Sequence, residues 1–276
     1  MHEGSDHLLY GALFGNLEAW NISLLAGLVF TAVLYACLIK HFGKLRDYSK
    51  QILLFFLALG LFYVVVGTPL STISHFSFSL HMMQMSILYF IIPPLLLLGI
   101  PYRLYQQAWK NTVLKRFSKL NFSPKLSLFI FSLLFLLYHL PVTLNILAQN
   151  TYSHNIYLLL LFVLAFFMWL PIASPNPKQR FSRWHMKRYT FLSGVVIMPA
   201  CMLFIVNAFI DGMNNPFASQ LTAQLCVPPQ TGSVNILLPY PFNTEYDQIA
   251  AGILMLGVHK FGLKLSFRLG NEERWS

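Results

Sequence analysis

Seven apolar runs, near 22–40, 51–70, 78–98, 126–144, 153–172, 188–210 and 246–264, restrict what this chain can fold into more than any other feature. Each approaches the roughly 20 residues that a helix rising about 1.5 Å per residue needs to cross a hydrocarbon core. In lipid every backbone N–H and C=O must be satisfied within the segment, so such runs are expected as helices. The basic residues fall into alternate connections: Lys40 to Lys50, Arg103 to Lys125, Lys178 to Arg188, and Lys260 to Arg274. All 19 Lys and Arg lie in these four groups. Retained positive charge marks the cytoplasmic side. The expectation is an all-α integral membrane protein, a single domain over 1–276 with seven transmembrane helices. Its N-terminus lies outside and its C-terminus in the cytoplasm, as a multi-pass protein of the cell membrane.

Only 10% of the residues are charged, against about 25% in a soluble domain. A net charge of +10 would ordinarily raise the question of nucleic acid. Here the cations sit in short connections between spans, where orientation and anionic lipid account for them, so no nucleic-acid partner is expected. The first twenty residues carry no Lys or Arg, so the cationic start of a cleavable signal is missing and the first span is expected to be retained. Of three cysteines, Cys37 and Cys201 fall in spans and Cys226 is alone outside. Outward-facing metal chemistry must therefore use His, Met and carboxylates.

Three connections stand out. Residues 102–122 set Tyr102, Tyr105, Trp109, Val113, Phe117 and Leu120 three or four apart between cations, the pattern of a helix lying in the inner interface against anionic lipid. Ser174-Pro175-Asn176-Pro177 predicts a tight inner turn. The outer loop 211–245 is the longest connection, and at that length a lid or docking surface is expected. Within the membrane, Pro93-Pro94 and Pro199 each open a backbone carbonyl four residues earlier and predict bends.

Orientation assigns a depth to each polar residue. His75, His81, Met82, Met83, Met85, His139, His154 and Asp247 all come to one outer layer. On a helix His81 and Met85, four apart, share a face and can hold one ion between them. Imidazole with thioethers is a soft set suited to Cu(I) more than Cu(II). Methionines also fill gaps in apolar cores, so span 3 alone favours plain packing over a site. Ionisable groups within a bilayer are costly and usually functional, and that favours a site. The expected set is His81 and Met85 with His139, His154 and Asp247 around them, and Met82 and His75 on the way in. His259 and Lys260 fall near the inner end of the last run, where snorkelling accounts for Lys260. No Ser-His-Asp arrangement, HExxH helix or P-loop is present, so no enzyme is expected.

The run Ser79-Leu80-His81-Met82-Met83-Gln84-Met85, followed by Ile92-Pro93-Pro94-Leu95-Leu96-Leu97-Leu98-Gly99-Ile100-Pro101, resembles the signature of the polytopic, seven-span CtaG family of cytochrome c oxidase assembly factors. Tyr138-His139-Leu140-Pro141, His154 through Trp169-Leu170-Pro171, and Asp247 to Gly252 with Met255 continue the resemblance along nearly the whole chain. In the family the fourth residue after the first His of the motif is usually a second His; here it is Met85. The resemblance implies a metallochaperone that helps mature the copper centre of a haem-copper oxidase. Its partners would be the catalytic subunit and an outer copper donor protein. Competing readings are a copper transporter, a haem-binding redox protein, and a metal-free assembly scaffold.

Overall fold

The computed structural model describes residues 20–42, 48–74, 77–110, 123–210 and 244–272. Every regular element among them is helical. The first two candidate spans are α1 (Ile22–Phe42) and α2 (Ser49–Gly67), followed by a short α3 (Pro69–Ser74). The third begins as α4 (Phe78–Ser86), passes through a π-helical turn (Ile87–Ile91) and continues as α5 (Ile92–Leu98). Then come α6 (Tyr102–Lys110), α7 (Pro124–Tyr138), α8 (Pro141–Ala148), α9 (Thr151–Ala173), α10 (Arg183–Ile210) and α11 (Glu245–Glu272). Six helices are long and apolar enough to cross a membrane, and the bent pair α7–α8 makes up to seven.

That pair corrects the expectation of one straight helix over 126–144. The chain bends by 80° between α7 and α8. Leu140 precedes Pro141 and takes an extended backbone, ψ 134°, because the proline ring disfavours the helical conformation in the residue before it. His139 is thereby left at the C-terminal end of α7 instead of mid-helix.

Pro93 and Pro94 act differently. Neither can donate to the carbonyls of Tyr89 and Phe90, and the helix answers with the π turn, in which the Ile92 N–H donates to the Ile87 carbonyl. The freed Tyr89 carbonyl accepts the Trp169 indole N–H at 3.0 Å. The Phe90 carbonyl faces Gly262 of α11, where a Cβ would come within 2.4 Å of the oxygen. Only glycine permits that approach. Gly252 does the same higher up α11, against the Cys201 carbonyl of α10. By contrast α10 continues through Pro199 as one helix.

α4, α7, α9, α10 and α11 share one core containing Met82, Met85, Tyr89, Phe131, Phe135, Tyr138, Trp169, Phe204 and Met255. α1 is peripheral: its Tyr35 stacks on Phe55 with ring centres 3.8 Å apart and donates to the Gly99 carbonyl. Outward faces remain apolar, with Phe30, Leu53, Leu159, Phe191 and Ile253 exposed, as a lipid-facing surface requires. Of the amphipathic segment, 102–110 is helical; the remainder, like 211–243 of the outer loop, lies outside the described residues. The Ser-Pro-Asn-Pro turn forms as expected, and Arg180 just beyond it is buried, donating to the carbonyls of Ser174 and Gly270 at 2.7 Å. A cation thus meets the C-terminal end of α11, where the helix dipole favours it.

Candidate metal centre

α4 starts at the layer where sequence placed the donors, and its first turn explains how they are held. Ser77 has an extended backbone, and its hydroxyl accepts the Leu80 N–H, the arrangement of an N-cap. The carboxylate of Asp247, from the first turn of α11, covers what remains: it accepts the N–H groups of Phe78 at 2.9 Å and Ser79 at 3.2 Å. It also accepts the Ser77 hydroxyl at 2.9 and 3.0 Å. With the His81 N–H on the Ser77 carbonyl at 3.0 Å, the first four donors of α4 are all satisfied. An anion at a helix N-terminus is stabilised by the dipole as well as by these bonds. Asp247, 4% exposed, therefore clamps α11 to α4 one turn above His81.

His81 and Met82 are fully buried, and Met85 beside them is buried. Its ring lies nearly parallel to that of Tyr138, at 6.4 Å and 22°. Tyr138 in turn stacks on His154 at 5.8 Å and 10°, with its hydroxyl 3.1 Å from His154 Nε2. His139, adjacent in sequence, meets the Tyr138 ring edge-on at 5.2 Å. Three histidines from α4, the α7–α8 bend and α9 thus gather around one phenol ring. Gln84 fixes the other side of α4, donating to the Val65 carbonyl at 2.8 Å.

His139 has the most telling environment. It is fully buried, enclosed by the rings of Phe135 and Phe204. Its Nδ1 lies 2.6 Å from the Phe135 carbonyl. A carbonyl can only accept, so Nδ1 carries the proton and, in the neutral imidazole, the lone pair is on Nε2. That Nε2 is buried with no hydrogen-bond partner. A ligating histidine is commonly oriented by such a bond from its other nitrogen to a backbone carbonyl.

Of the residues expected from sequence, His81, His139 and His154 come together around Tyr138, Met82 and Met85 pack in the core beneath, and Asp247 is joined to Ser77 and the α4 backbone. His75 lies outside the described residues. Among the described residues no three His, Cys, Asp or Glu side chains stand close enough to hold an ion as they are. Sequence reasoning missed Ser77 and Tyr138. Ser77 carried a signal, a serine directly before an apolar helix; Tyr138 carried none beyond its place beside His139.

Residues 33–263 match the family described as cytochrome c oxidase caa3 assembly factor. The chain belongs to that family. No curated protein and no solved structure matches it. Within the family frame the clustered histidines, the π turn before Pro93-Pro94 and the Asp247 clamp all fall inside the matched residues.

Proposed function

We propose that this assembly factor binds Cu(I) in its outer layer and helps mature the copper centre of the oxidase's catalytic subunit, a non-enzymatic role in the cell membrane. One observation carries the reading: His139, with Nδ1–H tied to the Phe135 carbonyl and Nε2 bare inside the protein. His139 and His81 supply imidazole, Met85 and Met82 thioether, a combination that favours Cu(I). His154 joins by releasing Tyr138. Asp247 holds α4 in place and so positions His81. An outer copper donor protein would load the site, and anionic lipid would hold the basic inner face.

The orientation proposed with it puts the N-terminus and the 211–245 loop outside and the C-terminus in the cytoplasm, from the segregation of basic residues. Single cysteines introduced in 211–243 are expected to react with an impermeant maleimide added to whole cells. Labelling of cysteines in 101–125 instead would reverse the topology.

A metal-free scaffold is the second reading, favoured by the engaged carboxylate of Asp247 and the Tyr138–His154 pair. The experiment that separates them removes the protein and measures copper per haem in the isolated oxidase. Copper delivery predicts subunits that are made and haem-loaded but copper-poor and inactive. Normal copper per haem with missing or degraded subunits would establish the scaffold.

A further inference from the structure

The two helices that carry the outer layer run parallel and in step. Asp247 of α11 meets Phe78 of α4, and twelve residues further along each helix His259 meets Phe90, with ring centres 4.9 Å apart. At about 1.5 Å per residue these levels are roughly 18 Å apart. α10 runs the opposite way, with Cys201 opposite Gly252 and Ser193 opposite His259. This places Met85 and Met255 at nearly the same level between the two ends. His81, Met85, Met255 and His259 thus descend as imidazole, thioether, thioether, imidazole, all buried and none more than 4% exposed.

Sequence had put His259 near an inner helix end. In the structure α11 continues to Glu272, so His259 lies mid-helix and fully enclosed. Its Nε2 is 3.0 Å from the Ser193 hydroxyl, and its Nδ1 is buried with no hydrogen-bond partner. A plain packing role would be served better by an apolar side chain, since a buried nitrogen left unpaired costs stability. Met255 is one turn away on the same face, and the side chains of a helix lean toward its N-terminal end, so His259 leans toward Met255.

We propose that Met255 and His259 form a second, deeper Cu(I) station, with Met85 linking it to the outer layer. The Nε2–H donates to Ser193, which orients the ring and frees the Nδ1 lone pair for the metal. Cu(I) accepts low-coordinate nitrogen and sulfur donors and carries a single charge, so a dry, thioether-lined position suits it better than a divalent ion. The station takes an ion from the outer layer and holds it inside the bundle, away from solvent. It rests on the reading of the protein as a Cu(I) carrier, yet it uses residues that the outer layer does not.

The test is Cu(I) titration of the purified full-length protein in detergent against a chromophoric Cu(I) chelator. Wild type is expected to bind two equivalents, and His139→Asn, His259→Leu and Met255→Leu one each. Met255→Leu conserves volume and keeps the test usable should His259→Leu fail to fold. Ser193→Ala is expected to weaken the deeper site by roughly tenfold, the effect of losing an orienting hydrogen bond. X-ray absorption of the single ion left in His139→Asn should show nitrogen and sulfur neighbours, and adding Met255→Leu should remove that ion. One equivalent in wild type, abolished by His139→Asn and untouched by His259→Leu and Met255→Leu, overturns the deeper station and leaves the outer centre standing. Two equivalents retained in His259→Leu and Met255→Leu overturn it as well. No binding by wild type removes both, and a single equivalent lost only with His259 or Met255 supports the deeper station and removes the outer one.

Discussion

Replacing His139 with asparagine is expected to weaken Cu(I) binding at the outer layer by tenfold or more, about 1.4 kcal/mol per decade, with the helical fold intact. Asparagine keeps an N–H close to the place of Nδ1 and can still donate to the Phe135 carbonyl, whereas it has nothing at the position of Nε2. His139→Ala removes both and opens a cavity between Phe135 and Phe204, so it should also lower thermal stability by about 1–3 kcal/mol. In cells both variants should leave the oxidase copper-poor while the assembly factor itself persists in the membrane. Met85→His, which restores the imidazole usual at this position of the family, is expected to bind Cu(I) as well as wild type or better. Unchanged Cu(I) affinity in His139→Asn would mean that the bare nitrogen is a packing accident.

The second large effect is expected at Asp247. Asp247→Ala strips the acceptor from the N–H groups of Phe78 and Ser79 and from the Ser77 hydroxyl together. Buried donors left unsatisfied cost about 1–3 kcal/mol each, so a loss of about 3 kcal/mol in stability is expected, read as a lower melting temperature in detergent. Cu(I) affinity should fall with it, because His81 stands on the same first turn of α4. Asp247→Asn retains one acceptor oxygen of similar shape and should recover about half of the stability. If Asp247→Ala melted like wild type and yet lost copper, the carboxylate would be a ligand and not a clamp. If neither property moved, both roles would be excluded.

Much of this protein could be read along the chain because the bilayer imposes local rules. A run of apolar residues must satisfy its own backbone, so the helices over 22–42, 49–67, 78–98, 151–173, 183–210 and 245–272 were legible to within a few residues at most ends. His81, His139 and His154 were legible as one layer for the same reason: position along a span is depth. Prolines were legible as disturbances, but their resolution was not. Pro141 broke a span by 80°, Pro93-Pro94 made a π turn, and Pro199 left a continuous helix. Which outcome occurs depends on whether another helix supplies the missing partner, as Trp169 does for the Tyr89 carbonyl.

What lay beyond the sequence was pairing across distance. Ser77 and Asp247 are 170 residues apart, and no periodicity in either helix says that the carboxylate expected as a ligand would close the end of α4. Tyr138 was invisible as the ring on which three helices bring their histidines together, since stacking has no signature along a chain. His259 was assigned to a helix end by the length of its apolar run, but packing against Phe90 and Ser193 put it inside. Hydropathy marks which segments become long apolar helices because lipid acts on each residue separately. Which nitrogen is paired and which is left bare is decided only when the helices pack, because it depends on the groups that neighbouring helices happen to present.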